Sequence, residues 1–139
     1  MTTDDIIQTE AAVEIPTYSK FPMALAEGAG SYVWDTDGNE YLDFYGGHCV
    51  ALLGHCPPRV VQAVQQQAET LLFYSNVAHS PVRAEASQRL VDMAPDGLSQ
   101  VFFANSGSEA NETALKLART FTGKSGVVAM ESGFHGRTL

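Results

Sequence analysis

A polar segment that contains one glycine is the part of the sequence best suited to chemistry. Residues 105–111 read Asn-Ser-Gly-Ser-Glu-Ala-Asn and lie between an apolar run and a helical pattern. The first amides of a helix have no intrahelical acceptor and lie at the positive end of its dipole. Gly107 leaves the backbone accessible, and the hydroxyls of Ser106 and Ser108 add donors. The segment therefore predicts a phosphate site.

The same residues have an alternative interpretation. Ser106 and Glu109 have the spacing of a capping box, which would satisfy the helix amides without a ligand. Gly107 is followed directly by Ser108 and Glu109 and not by lysine with serine or threonine, so the segment is not a Walker loop, and it is not a dinucleotide fingerprint either. The local pattern leaves the bound phosphate and the plain cap as alternatives.

A second segment whose residue types could bind a ligand comes after the next predicted strand. Residues 133–139 read Gly-Phe-His-Gly-Arg-Thr-Leu, and the topology places them at the same sheet edge as the first segment. The ring of Phe134 can stack on a planar heterocycle. The guanidinium of Arg137 can bind a carboxylate through two parallel hydrogen bonds. The alternative is that Phe134 is a core residue and Arg137 a solvated surface charge.

Two strands and a helix must place these segments side by side. The apolar run Val101–Ala104 has the length and composition of a buried parallel strand. Residues 108–122 carry apolar side chains at helical spacing and precede Gly123, a residue type that commonly ends helices. A second apolar run covers Gly126–Met130. This order of strand, helix and strand predicts an α/β fold with a right-handed crossover.

The first half of the chain predicts a different structure. Residues 24–45 have the character of strands, and Asp37-Gly38 lies in a predicted hairpin turn. Pro57-Pro58 opens an amphipathic helix. Ser80 and Pro81 predict the start of another helix, with the serine as its cap.

Composition limits the class of protein. Apolar residues make up 45% of the 139 residues and charged residues 17%, which is typical of a globular protein long enough to form a core. The net charge of −8 disfavours nucleic acid and anionic lipid as partners. No apolar run is long enough for a membrane span. Two cysteines and an acidic start predict a cytoplasmic protein without a disulfide framework.

The two polar segments together resemble the motifs of one enzyme family. Residues 105–119 and 134–138 are similar to the cofactor-phosphate motif, and the motif that follows it, in class III aminotransferases of the acetylornithine and ornithine type. Residues 30–35, 41–44 and 53–55 fit the same family. The resemblance implies the α/β fold type I of enzymes that use pyridoxal 5'-phosphate. It also implies a small-domain hairpin region at 1–56 and the start of a mainly parallel large-domain sheet at 57–139.

The resemblance also implies roles for matching residues. Ser106, Gly107 and Ser108 would hold the phosphate of pyridoxal 5'-phosphate, largely through backbone amides. Phe134 would stack on the pyridine ring beside His135. Two further residues would bind the substrate: Arg137 its α-carboxylate, and Tyr18 the wall of its pocket.

The implied reaction moves an amino group from acetylornithine or ornithine to 2-oxoglutarate, in arginine biosynthesis, in a homodimer. A 4-aminobutyrate-type aminotransferase and a non-catalytic phosphate- or cofactor-binding module are the alternatives. The Schiff-base lysine of the family lies further along its chains, and neither Lys20, Lys116 nor Lys124 aligns with it. We therefore expect an N-terminal fragment that is inactive and partly folded or poorly soluble by itself.

A metal site is a weaker alternative. His48-Cys49 and His55-Cys56 place four candidate ligands within nine positions. This is not an established zinc spacing, and neighbouring residues of an extended segment point in opposite directions. We expect no metal, and we expect His48 and Cys49 to lie near the substrate entrance.

Overall fold

The predicted hairpin is the centre of the only sheet in the part of the chain that the structure describes. The structure is a computed structural model and describes residues 1–138. Strands β1 (Leu25–Ala29), β2 (Tyr32–Asp35) and β3 (Glu40–Leu42) form an antiparallel sheet in the order β1-β2-β3. The hairpin prediction is therefore confirmed, with β2 and β3 on either side of the Asp37-Gly38 turn.

Asp35 fixes the turn of this hairpin. One carboxylate oxygen accepts the amides of Asp37 (3.0 Å) and Asn39 (2.8 Å). The other accepts the side-chain amide of Asn39 (2.9 Å) and the hydroxyl of Tyr41 (2.7 Å). These donors, the Asn39 side chain foremost, lower the pKa of Asp35 to about 2. Asp35 and Val33 are the two buried residues of the described chain, so its small core lies in this hairpin.

An N-terminal helix, α1 (Thr3–Val13), comes before the sheet and was not predicted. Thr2 and Asp5 form a capping box: the Thr2 hydroxyl accepts the Asp5 amide and the Asp5 carboxylate accepts the Thr2 amide. Thr3 donates a hydrogen bond to Asp37 of the hairpin turn (2.7 Å). The helix is thereby tied to the sheet at its amino end.

A left-handed turn, α2 (Gly46–Cys49), follows β3. The φ angles of Gly46, Gly47, His48 and Cys49 lie between 56° and 60°. For His48 and Cys49 this conformation costs roughly 1–2 kcal/mol each, because a side chain crowds the next carbonyl. The hydroxyl of Tyr45 is 2.7 Å from the His48 ring nitrogens and helps to hold the turn.

The Leu53-Gly54-His55 turn closes against the end of β1. Gly30 and His55 form a two-bond bridge with N–O distances of 3.0 and 2.7 Å. Gly54 has a φ of +79°, and a Cβ there would lie 2.8 Å from the Gly30 carbonyl oxygen, so only glycine fits. The His55 ring is also 2.7 Å from the carboxylate of Asp43. The Gly46 amide, followed by His55, lowers the pKa of Asp43.

Two helices follow as predicted. Helix α3 (Pro58–Thr70) starts at the second proline, and α4 (Pro81–Met93) starts after Ser80. The Ser80 hydroxyl accepts the amide of Arg83 at 3.4 Å, as expected of a cap. The Arg83 side chain binds back to Asn76 and to the Ala78 carbonyl, which orders the turn before α4.

Helix α5 (Gly107–Thr122) confirms the third helix, but the two strands expected around it are not formed. Residues 101–104 and 126–130 form no strand. A strand exists only through hydrogen bonds to a neighbouring strand, and these two runs pair with no described segment. The predicted strand-helix-strand unit is therefore present only as its helix.

The described residues bury little apolar surface. The chain exposes 12266 Å², whereas a folded monomeric protein of this length exposes about 7,000 Å². Large apolar side chains of α3, α5 and the runs beside α5 are among those exposed. The core expected from the length is thus nearly absent, because no sheet covers the apolar faces of these helices.

The chain divides into two compact units, Met1–Tyr74 and the residues from Ser75 onwards. The domain division predicted between residues 56 and 57 stays a prediction. Within residues 1–138, no helix is both long enough and apolar enough to cross a membrane.

Candidate phosphate and cofactor site

The first turn of α5 carries the cap that the sequence predicts. The Ser106 hydroxyl accepts the amide of Glu109 at 3.2 Å. The Glu109 carboxylate accepts the amide of Asn105 at 2.7 Å and the Ser106 hydroxyl at 3.2 Å. The Ser106 cap is therefore present, whereas Glu109 accepts the amide of Asn105 in place of the Ser106 amide that a capping box would use.

The cap leaves the two amides between these residues open. In the described chain, the amides of Gly107 and Ser108 donate to no protein acceptor. Nothing lies within 4 Å of the position that a Cβ on Gly107 would take. Gly107 does not have a positive φ. The absence of a side chain therefore leaves room for a ligand at the helix start and does not serve a left-handed turn. Two unpaired amides at the positive end of a 16-residue helix fit a phosphate.

The segment 133–138 packs directly on this turn. Gly136 has a φ of +105°, and a Cβ there would lie 2.6 Å from the Ser108 Cβ and 3.0 Å from its Cα. Asn111, one turn further along α5, donates from its side chain to the carbonyl oxygen of His135 at 3.1 Å. The structure thus brings together the two segments that the sequence singled out.

The side chains predicted to bind ligand in this segment are exposed. Phe134 is 73% exposed, and His135 and Arg137 are exposed as well. The His135 ring lies back toward Gly133, where a Cβ would be 3.2 Å from its Nε2. An accessible ring and an accessible guanidinium beside two open amides can contact a ligand that combines an anion with a planar ring.

Sequence reasoning missed Asn111 and Glu112, which hold the second segment. Glu112 is half-buried, and interactions with the Thr138 hydroxyl, followed by Lys116, lower the pKa of its carboxyl group. The spacing of these residues could have indicated this role, because Asn111 and Glu112 lie three and four positions after Ser108 and therefore share its helix face. Asparagine is also a weak helix former, which indicates a tertiary role within the second turn of a helix.

Tyr18 belongs to the other unit of the chain. It is 61% exposed and lines a cavity of about 420 Å³ beside α1. Lys20, in the same wall, bridges Glu10 and Glu14 of α1 at 2.5 Å each. The role of Tyr18 as a substrate-pocket residue stays a prediction.

The lysines have the surroundings of surface cations. Lys20 bridges two carboxylates, and Lys116 pairs with Glu112 at 2.9 Å. Lys124 follows the end of α5, and its backbone amide binds the Thr122 hydroxyl.

His48, Cys49, His55 and Cys56 do not converge. His48 contacts Tyr45, and His55 pairs with Asp43. Both cysteines are free and exposed. Among residues 1–138, no group of three or more histidine, cysteine or acidic residues could hold a metal ion.

Comparisons with known proteins identify the family. The model of the aminotransferase class-III family matches residues 15–139. Acetylornithine aminotransferase from Methanopyrus kandleri is 51% identical over 123 residues, which cover 88% of this chain and 32% of that protein. The enzyme of that name from Methanothermobacter thermautotrophicus is 44% identical over the whole chain and 35% of its own length. The chain thus spans about a third of the curated relatives that it matches.

Solved structures of aminotransferases are also similar to this chain. An ornithine aminotransferase from Toxoplasma gondii, described with partial occupancy of pyridoxal 5'-phosphate at its active site, has a TM-score of 0.86 at 31% identity. The match covers 99% of this chain and 34% of that one. Acetylornithine aminotransferase from Elizabethkingia anophelis has a TM-score of 0.81 at 32% identity, over 88% of this chain and 31% of its own. The predicted α/β fold type I and the family's cofactor, pyridoxal 5'-phosphate, are thereby confirmed. The chain belongs to the class III aminotransferases.

Proposed function

We propose that this chain forms the phosphate-binding and carboxylate-binding part of a transaminase that depends on pyridoxal 5'-phosphate. The observation that carries the proposal is the pair of open amides of Gly107 and Ser108, with segment 133–138 packed on the same helical turn. A plain cap would need no such neighbour. A cofactor that has both a phosphate and a ring needs the open amides for its phosphate and segment 133–138 for its ring.

In this proposal, each residue of the site binds a different part of the cofactor or substrate. The amides of Gly107 and Ser108 hold the phosphate, while the Ser106 cap keeps the helix start in place. Phe134 covers one face of the ring, and His135 lies beside it. Arg137 binds the α-carboxylate of the amino acid and orients its amine. When bound, pyridoxal 5'-phosphate supplies the electron sink that amino-group transfer requires.

The proposed donor is acetylornithine or ornithine, and the proposed acceptor is 2-oxoglutarate. Relatives named acetylornithine aminotransferase support this donor. A taurine:2-oxoglutarate aminotransferase from Bifidobacterium kashiwanohense, solved with pyridoxal 5'-phosphate and glutamate, supports this acceptor through a TM-score of 0.81 at 30% identity. The reaction would serve arginine biosynthesis.

Three further parts of the proposal concern the whole protein. The exposed apolar faces of α3 and α5 support a homodimer or a larger fold around this chain. The two free cysteines support a cytoplasmic location. Lys20 and Lys116 are held in ion pairs, which supports the proposal that the 139-residue chain alone transfers no amino group.

A chimera tests the function. The chain replaces its matching segment in acetylornithine aminotransferase from Methanopyrus kandleri, and transfer from N-acetylornithine to 2-oxoglutarate is measured. We expect activity within about tenfold of the parent, because the replaced residues together should change transition-state binding by no more than about 1.4 kcal/mol, which corresponds to a factor of ten in rate. A chimera that folds and binds cofactor but transfers no amino group would favour the non-catalytic module. Faster transfer from 4-aminobutyrate would favour that alternative donor.

A further inference from the structure

Asn111 links the two halves of the proposed cofactor site. It lies in the second turn of α5 and is half-buried. Its side-chain nitrogen donates to the carbonyl oxygen of His135 at 3.1 Å, across 24 positions of sequence. Because a carbonyl oxygen can only accept, the side chain at position 111 must present a donor.

Two neighbouring contacts lie along the same helix face. Ser108 packs against Gly136 one turn earlier. Glu112, the residue after Asn111, interacts with Thr138. Three residues near the start of α5 thus contact three residues of the second segment, and among these contacts the Asn111 bond is the one that holds a backbone atom directly before Gly136, whose φ is +105°.

We propose that Asn111 is a positioning residue for the cofactor ring and the substrate carboxylate. It fixes the backbone at His135 and Gly136. The neighbouring residues Phe134 and Arg137 are thereby held at a constant distance from the two open amides at the start of α5. This inference rests on the proposed function. It assigns the residue no contact with cofactor or substrate.

The choice of asparagine agrees with this role. Asparagine is less favourable than alanine inside a helix, so its presence in the second turn of α5 needs a compensating contact. Aspartate has nearly the same shape but would place a carboxylate oxygen against the His135 carbonyl oxygen, and the two would repel each other. Asn111→Ala and Asn111→Asp should therefore both lose the hydrogen bond to the His135 carbonyl oxygen.

The test compares two probes on the chimera with the Methanopyrus kandleri enzyme, prepared without cofactor, because the 139-residue chain alone buries little apolar surface. Inorganic phosphate needs only the helix amides, whereas pyridoxine 5'-phosphate also needs the ring contact and has no aldehyde to react with lysines. Amide chemical shifts of Gly107 and Ser108 report binding of either probe. Thr113→Ala is the matched control, because Thr113 is half-buried on the same turn and binds back only to the Glu109 carbonyl.

We expect Asn111→Ala and Asn111→Asp to keep the affinity for inorganic phosphate within about twofold. Their affinity for pyridoxine 5'-phosphate should fall by about tenfold, since the lost bond is a single neutral hydrogen bond. Thr113→Ala should change neither affinity. A general loss of helix structure would lower both affinities together, so equal losses for the two probes would contradict the inference. Unchanged affinities for both probes would contradict it as well.

A second readout does not depend on any ligand. The backbone order parameters of Gly136 and Arg137 should fall in both Asn111 variants and stay constant in Thr113→Ala. Unchanged order at these residues would overturn the positioning role. If the unmutated chimera bound neither probe, the proposed function would fail, and the order parameters would still decide whether Asn111 holds the segment.

Discussion

Gly136 lies so close to Ser108 that no other residue type fits at that position. A Cβ on Gly136 would be 2.6 Å from the Ser108 Cβ, and the φ of +105° excludes side chains independently of the crowding. The contact joins the start of α5 to the segment that carries Phe134 and Arg137. The proposed site therefore depends on a backbone approach as well as on its polar groups.

Replacing Gly136 by alanine should separate the two segments. We expect Gly136→Ala to abolish the hydrogen bond from Asn111 to His135 and to weaken pyridoxine 5'-phosphate binding about 5- to 150-fold, because a strained backbone and a steric clash together cost roughly 1–3 kcal/mol. The loss of the His135 contact can be followed by the nuclear Overhauser effect between Asn111 and residue 135. The control is Gly126→Ala, where nothing lies within 4 Å of the new Cβ. Equal binding by Gly136→Ala and the original chain would contradict the close packing.

Substitutions of Ser106 should separate capping from anion binding. Ser106→Ala loses the bond to the Glu109 amide and should destabilise α5 by ~1 kcal/mol. Ser106→Asp keeps a cap of similar strength but adds a negative charge, so α5 should stay intact while phosphate affinity falls about fivefold. Amide exchange in α5 measures the first effect and phosphate titration the second. Tighter phosphate binding by Ser106→Asp would show that the anion lies elsewhere.

The hairpin should lose stability in acid through Asp35. Its pKa in the folded chain is about 2, below the ordinary value of 3.8. The ionised form is therefore stabilised by folding, and its contribution is present above about pH 4 and is lost as the pH falls toward 2. Trp34, the only tryptophan, lies next to Asp35 and reports the change by fluorescence. Asp35→Asn should remove this transition and weaken the hairpin at neutral pH, whereas Asp96→Asn should leave the transition in place. An acid transition that persists in Asp35→Asn would assign it to another group.

Arg137 should control the affinity for substrates that carry an α-carboxylate. In the chimera with the Methanopyrus kandleri enzyme, we expect Arg137→Ala to raise KM for N-acetylornithine about 10- to 100-fold, as expected for the loss of a charge-assisted hydrogen bond. Arg89→Ala is the control, because Arg89 forms only an exposed pair with Glu85 within α4. An unchanged KM in Arg137→Ala would remove the assignment of this residue.

The 139-residue chain alone should show no transaminase activity. Purified chain supplied with pyridoxal 5'-phosphate, N-acetylornithine and 2-oxoglutarate should form no glutamate above the rate of cofactor alone. The reason is chemical, since proton transfer at the amino acid's α-carbon needs a positioned base and Lys20 and Lys116 are engaged in ion pairs. Glutamate formation that disappears in Lys124→Gln would show that this lysine serves as the base.

Local signals predicted most of the helices and the hairpin. Ser80 with Pro81, and Ser106 with Glu109, are caps whose chemistry is complete within a few residues, and α4 and α5 begin where these caps predict. Asp37-Gly38 fixed the hairpin turn in the same way. The same type of signal at Thr2 and Asp5 marks α1 and could have been recognised.

Features that depend on distant partners could not be predicted from local patterns. The runs 101–104 and 126–130 have the composition of buried strands, but strands form only beside other strands, and no described segment pairs with them. The left-handed turn at His48 and Cys49 runs against the preference of both residues and is held by contacts such as that of Tyr45 with His48. The link from Asn111 to His135 needed the three-dimensional path of the chain.

In the proposed function, the amides of Gly107 and Ser108 hold the phosphate of a ring-bearing cofactor. The most direct measurement is a titration of the cofactor-free chimera, isotope-labelled in this chain, with pyridoxine 5'-phosphate and, separately, with pyridoxine, followed by amide chemical shifts. We expect saturable shifts at Gly107, Ser108 and residues 134–137 with the phosphate ester, and none at the helix amides with pyridoxine. Shifts confined to other parts of the chain, or equal responses to both compounds, would contradict it.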